Sequence, residues 1–198
     1  MPPARAAIVL PAAGASSRMR GADKLLERIG GVSILHRQCA RACALGLPVA
    51  VTLRPGDTAR RAALAGLPCT VLAVPDAAEG MAASLRAAAA WAAEQRAAAL
   101  MVLLPDMPAI TTDDLRALLE AQDIAPDRPL RAATADGHPG HPALLPAATF
   151  PALATLTGDT GARALLDEAR LVPLEGDRAR TDLDTPEDWA AWRARQTP

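Results

Sequence analysis

A chain of 198 residues with a formal net charge of −1 is long enough for one domain with a full core and too short for two ordinary ones. The near-neutral balance gives no reason to expect nucleic acid or an anionic membrane as partner, and one Phe, three Trp and no Tyr offer little aromatic surface for base stacking. No apolar run reaches the length of a membrane span and no signal-peptide core opens the chain, so the expected location is cytoplasmic.

The first apolar run, Ala6 to Leu10, reads as a strand that stops at Pro11. It opens into a loop of small and basic residues: Ala12, Ala13, Gly14, Ser16, Ser17, Arg18, Arg20 and Lys24. Small side chains let a ligand approach the backbone, and turned N–H groups form a nest for anions. Arg18, Arg20 and Lys24 place positive charge where such an anion would sit. The stretch therefore reads as a strand-end loop around a polyphosphate, with a plain basic βα turn as the alternative. It is not a Walker loop, because Leu25 follows Lys24, and Ala12, Ala13 and Ala15 do not supply the glycines of a dinucleotide fingerprint.

Ser33 is a suitable cap for a helix through Leu45, ended by Gly46. Strands are expected at Pro48–Leu53, Cys69–Val74 and Ala99–Leu104, with an alanine-rich helix at Met81–Arg96 and another starting near Thr111. Beyond Gln122, short extended runs at Leu130–Ala135 and Pro142–Leu145 flank a Gly/Pro/His loop in which Pro139 argues against an uninterrupted ladder. A helix at Ala162–Ala169, a strand at Leu171–Leu174 and a helix at Pro186–Arg195 finish the chain. Cys39, Cys43 and Cys69 form no Cys-x-x-Cys pair and read as core thiols. The alternation implies an α/β fold: a single-domain doubly wound, mostly parallel sheet with a small β subregion in the second half.

Polar clusters fall at the carboxyl ends of these strands, where open parallel sheets bind ligands. Glu79-Gly80-Met81 with Ser84 opens a helix, a natural anion position. Asp106 follows the most apolar strand and suits a Mg²⁺ ligand or, more plainly, a turn cap. Asp182 and Asp184 share one face of an extended segment, and Thr185-Pro186 reads as N-cap and first helical residue.

These stretches resemble one family. Leu10 to Leu26 is similar to the opening of the MobA-like nucleotidyltransferases, which include the molybdenum cofactor nucleotidyltransferases and their sugar-nucleotide relatives. Leu104-Pro105-Asp106-Met107-Pro108 resembles the family's metal motif, with Met107 where the cytidylyltransferase branch has Gln. Gly80 and Ser84, Gly137 to Pro142, Gly158 to Arg163 and Asp182 to Asp188 resemble four further motifs, in family order, those at Gly137 to Pro142 and Gly158 to Arg163 in the form of the cytidylyltransferase branch. Pro11 departs from the pattern, as does the lack of an Asn-Pro pair and a Trp before Gly80.

The resemblance implies that Ala12, Ala13, Gly14, Gly80 and Ser84 lie against a nucleotide. Arg18 and Lys24 would bind its phosphates and act in catalysis with Asp106. Asp106 and Asp184 would hold Mg²⁺, while His138, His141, Asp159 and Arg163 would meet the acceptor. Nucleotide binding would occupy about 1–122 and acceptor binding about 123–198. The implied reaction transfers CMP from CTP to molybdopterin with loss of pyrophosphate, and a transient contact with a molybdoenzyme or its chaperone. Ala13, where the guanylyltransferase branch has Gly, would favour the smaller pyrimidine, whereas the longer loop ending Asp23-Lys24 looks more like that branch. A guanylyltransferase, a sugar-phosphate nucleotidyltransferase and a non-catalytic nucleotide- or cofactor-binding module are the alternatives. The last predicts loss of the carboxylates or the lysine, and all are present.

Overall fold

The structure is a computed structural model that describes residues 5–14, 19, 22–158 and 162–196, the side chain of residue 196 excepted. In chain order come β1 (Ala7–Pro11), β2 (Arg28–Ile29), β3 (Val32–Ser33), α1 (Ile34–Cys43), β4 (Val49–Leu53), α2 (Thr58–Ala63) and β5 (Thr70–Ala73). Then follow α3 (Met81–Glu94), β6 (Ala99–Val102), α4 (Thr112–Ile124), β7 (Leu130–Ala133), β8 (Pro139–Pro146), α5 (Phe150–Ala154), β9 (Arg170–Pro173) and α6 (Pro186–Gln196). No helix among the described residues is long and apolar enough to cross a membrane.

Seven strands form one sheet in the order β5-β4-β1-β6-β8-β7-β9. All pairs are parallel except those of β8, which runs antiparallel to both β6 and β7. The fold is the α/β, mostly parallel architecture that the sequence implies. Every residue of β1 is buried because both faces of the sheet are covered, which is why the run is continuously apolar rather than alternating. Its pleat still sorts the side chains. Ile8 and Leu10 join a cluster with Ile34, Leu118 and Trp189 on one face; Ala7 and Val9 join Leu85, Trp91 and Leu153 on the other.

Local chemistry explains the boundaries. Ser33 accepts from the His36 N–H and caps α1, and Thr111 with Asp114 forms a reciprocal capping box at α4. Pro139 is the first residue of β8, a position where a missing N–H is tolerated, and the β7–β8 register shifts between Arg131 and Ala133. The extended runs of the second half thus continue the main sheet. A separate two-stranded sheet, β2–β3, lies in the first half, turned by Gly30 and Gly31 at φ +60° and +81°. Residues 162–169 do not form the expected helix: only a 3₁₀ segment, Arg163–Leu166, is present before β9 begins at Arg170. So short a run gains too few hydrogen bonds to sustain an α-helix. It therefore offers no helix N-terminus to a phosphate.

Candidate active site

From β1 the chain passes to β4 on one side and later returns to β6 on the other. The crevice beyond the carboxyl ends of β1 and β6 is thus the topological switch point, where open α/β sheets bind ligands. The loop after Pro11 and the loop after Val102 both open into it.

The first loop is held from behind. Ala12 N–H donates to the carbonyl and the hydroxyl of Thr52 (3.1 and 3.2 Å), and the Thr52 hydroxyl donates to Ser84 Oγ at 3.1 Å. Ser84 is 3% exposed, so it supports the loop through Thr52 and does not face the open crevice. The Ala13 methyl is buried against Val74 and Ala83. This removes the steric reason for a pyrimidine that the sequence suggests at Ala13. A Cβ on Gly14 would meet nothing within 4 Å, so open space lies over the loop there. Gly80 adopts φ +97° at the start of α3, a conformation that disfavours any side chain. Arg18, like Ser16, Ser17 and Arg20, lies outside the described residues.

Arg60 of α2 ties the two ends of this loop together, and its sequence context gave no sign of it. It is 1% exposed. Its Nη1 donates to the carbonyls of Ala12 (2.6 Å) and Gly14 (2.8 Å), while Nε and Nη2 meet the Asp23 carboxylate at 2.7 and 2.8 Å. A fully buried guanidinium is tolerable only with such a set of partners. Asp23, the residue before Lys24, is thereby fixed.

The second loop is tethered by α1. Gln38 Nε2 donates to the Met107 carbonyl at 2.5 Å, and Arg41 Nη1 donates to those of Pro108 and Ile110 at 2.8 and 2.5 Å. The Leu183 N–H donates to the Asp106 carbonyl at 3.0 Å and brings the Asp182–Asp184 segment alongside. Thr185 and Asp188 cap α6 reciprocally, as Thr185-Pro186 suggests.

Lys24, Asp106 and Asp184 therefore converge. Lys24 Nζ donates to Asp106 Oδ2 at 2.5 Å and to Asp184 Oδ1 at 2.6 Å. Burial works against the ammonium, but the Asp106 carboxylate and then Asp184 more than offset it, so Lys24 titrates above the usual lysine range. Burial raises the Asp182 carboxyl, with Asp184 and Asp106 adding to the effect. Asp106 Oδ1 is buried without a hydrogen-bond partner among the described residues. An orphaned carboxylate oxygen beside a second carboxylate suits a hard divalent cation that takes its remaining oxygens from phosphate and water. Among the described residues no group of three or more His, Cys, Asp or Glu could hold a metal alone. The site fits a shared cation rather than a protein cage.

The acceptor candidates separate. His141 lines a cavity of about 510 Å³ with Arg131, Arg163 and Arg180. Burial, then Arg131, pushes its pKa down to about 4 despite Asp106, so the ring is neutral at pH 7. His138 lies outside that cavity, exposed at the strand tip 3.4 Å from Asp136. Gly140 is the hinge of this arrangement: a Cβ there would sit 1.8 Å from the Ala179 carbonyl oxygen. Only glycine lets the 178–180 segment, with Arg180, close onto β8. Asp159 lies outside the described residues. Cys39, Cys43 and Cys69 are free thiols clustered beside α1, and a hydrogen bond from Cys39 draws the Cys69 pKa down to about 7.

A family model, the MobA-like NTP transferase domain, matches residues 7–174. The chain belongs to this family. The MobA-like chain is similar to Rv0371c of Mycobacterium tuberculosis H37Rv in complex with manganese, at 27% identity over 94% of this chain and 97% of that one, with a TM-score of 0.74. A nucleotidyl transferase from Methanothermobacter matches at 21% identity over 96% and 97% of the two chains, TM-score 0.77. CMP:2-keto-3-deoxy-manno-octonic acid synthetase complexed with CTP matches at 16% identity over 96% and 98%, TM-score 0.73, a likeness of fold. No curated protein matches the chain.

Proposed function

We propose that this MobA-like protein transfers CMP from CTP to molybdopterin, with Mg²⁺ held by Asp106 and Asp184. The observation that carries the reading is the meeting of Lys24 with both carboxylates at the mouth of the switch-point crevice. The motifs at Gly137–Pro142 and Gly158–Arg163 support a cytidylyl rather than a guanylyl donor. The manganese complex of the mycobacterial relative and the CTP complex of the synthetase are in keeping with a divalent cation and a cytidine nucleotide.

In the reaction, an oxygen of the acceptor phosphate attacks the α-phosphorus of CTP. The bond from that phosphorus to the bridging oxygen breaks, and pyrophosphate leaves with its electron pair. Such a displacement needs alignment and charge neutralisation, not a protein nucleophile. A divalent cation, when bound by Asp106 and Asp184, neutralises charge on the phosphates. Ala12 and Gly14 let the backbone approach the triphosphate; Lys24 and Arg18 bind it and stabilise the leaving pyrophosphate. Arg60 fixes the loop that carries them. His141 and Arg163 receive the acceptor from the second half of the chain, with His138 and Asp159 as the further acceptor contacts of this reading. Pyrophosphate release on mixing the protein with Mg²⁺, molybdopterin and either CTP or GTP tests this. Release with CTP in preference to GTP is expected. Preference for GTP would move the protein to the guanylyl branch, and release with neither would remove the transfer reading.

A further inference from the structure

A second cavity, of about 240 Å³, lies against the loop that carries Asp106, among Ile29, Arg37, Arg41, Pro108, Arg178 and Trp192. It shares no lining residue with the cavity around His141. Its walls come from the segments that bear the three charges of the active site. Ile29 ends β2, which follows Lys24; Pro108 stands two residues after Asp106; Trp192 is on α6, which begins two residues after Asp184.

Positive charge gathers there without an equal counter-charge. Arg37 Nη1 donates to the Ile29 carbonyl at 3.4 Å, and Arg37 has no ion pair among the described residues. Arg41, one helical turn on, spends Nη1 on the Pro108 and Ile110 carbonyls. Its Nε and Nη2 make no hydrogen bond among the described residues. Arg178 is balanced, by Asp114 Oδ1 at 3.3 Å and Glu175 Oε2 at 2.6 Å. Burial, then Arg37, holds Arg41 below the ordinary arginine range, with Asp114 opposing. The Trp192 indole N–H is a further donor without an acceptor among the described residues. Two half-buried guanidinium groups a turn apart repel each other until an oxyanion receives their forks, and a dianion answers both charges where a monoanion answers one. The volume falls below the roughly 300–1,000 Å³ of sites for drug-sized ligands, so the occupant is small. An occupant bound to Arg41 also fixes the Pro108 and Ile110 carbonyls that Arg41 holds.

We propose that this cavity is an effector site for a small dianionic oxyanion, a phosphate or a dicarboxylate, which Arg37 and Arg41 hold and which braces the loop that carries Asp106.

The test titrates inorganic phosphate, succinate and acetate separately into the full chain at constant ionic strength, by calorimetry, without nucleotide or metal. At least one of the two dianions is expected to bind about 10-fold or more tightly than acetate, and the tighter of them identifies the source of the charge. Arg37→Gln is expected to weaken that dianion about 10-fold or more and to leave the Kd for CTP unchanged. Should Arg37→Gln fold poorly, Arg37→Lys serves, with a smaller loss expected because the charge stays and the fork is gone. The dianion is also expected to change tryptophan fluorescence in wild type but not in Trp192→Phe, and to slow hydrogen exchange at the Ala109 and Ile110 amides. Neither dianion binding better than acetate overturns the proposal, as does binding that ignores Arg37. Binding lost in Lys24→Ala but kept in Arg37→Gln would place the anion in the active-site crevice, and the proposal would be wrong. Binding without slower exchange at Ala109 and Ile110 would overturn the bracing of the loop. None of these readouts involves pyrophosphate release, so the transfer reading stands or falls separately.

Discussion

Lys24 and Asp106 form an ion pair at 2.5 Å, and the same ammonium reaches Asp184 at 2.6 Å. One cation from the first loop thus joins two carboxylates supplied by the second loop and by the approach to α6. The side chains are 18%, 12% and 17% exposed, so solvent screens them only in part.

Lys24→Ala leaves both carboxylates without this counter-ion. It is expected to lower stability by roughly 1–3 kcal/mol, a fall in Tm of a few degrees for a chain of this size. Millimolar Mg²⁺ is expected to recover most of that loss in the variant, because the cation takes the vacated position, while wild type gains less. Thermal unfolding with and without Mg²⁺ measures this. A variant as stable as wild type, with no response to Mg²⁺, would show that the pair does not organise the site.

Arg60→Lys keeps the charge but replaces five forked donors with one compact ammonium. It cannot hold the Ala12 and Gly14 carbonyls and Asp23 together. CTP affinity is expected to fall by about 10-fold or more, since charge-assisted hydrogen bonds of roughly 1.5–3 kcal/mol shape the loop. Calorimetric titration checks it; an unchanged Kd in a folded variant would relegate Arg60 to core packing.

His141 links stability to pH. An unfolded histidine titrates near 6.5, and the folded one near 4 because of burial and Arg131. Between these values the unfolded chain binds a proton that the folded chain does not. The contribution is therefore complete above pH 6.5 and is lost as pH falls toward 4, by at most about 3 kcal/mol. Urea unfolding at pH 7.5 and pH 5 should show a steeper loss for wild type than for His141→Gln. Equal losses would mean that His141 titrates normally.

The neighbouring Cys39 thiol lowers the Cys69 pKa, whereas the contact with Cys69 and burial raise that of Cys39 and burial raises that of Cys43. Iodoacetamide at pH 7 is expected to alkylate Cys69 first, as read by peptide mass spectrometry. First labelling at Cys43 would contradict this.

Much of this was legible in the sequence because strand-end motifs are local. Pro11 to Gly14 and Asp106 each sit where an apolar run stops, and a parallel sheet gathers such ends along one edge, while Asp182 to Pro186 carries its own cap signal before α6. What could not be read were partners set by packing. Arg60 and Gln38 look like ordinary polar helix residues, yet each is buried because a loop carbonyl from far along the chain meets it. The faint signal was a polar residue at Gln38 on the otherwise apolar face of Leu35, Cys39 and Ala42. Residues 138 and 141 look alike in sequence; His138, just before β8, is exposed, and His141, within it, is half-buried. The sequence sets the Ala13 methyl beside the nucleotide, whereas in the fold it is buried against Val74 and Ala83.

Asp106→Asn retains the volume of the side chain and its capacity to close a turn, but an amide oxygen is a poor ligand for a hard cation. The most direct test is the rate of pyrophosphate release from CTP, with Mg²⁺ and molybdopterin, by wild type and Asp106→Asn side by side. The account predicts acceptor-dependent release by wild type and a rate about 10²–10⁴-fold lower in the variant at nearly unchanged Tm. Equal rates from a well-folded Asp106→Asn chain would contradict it.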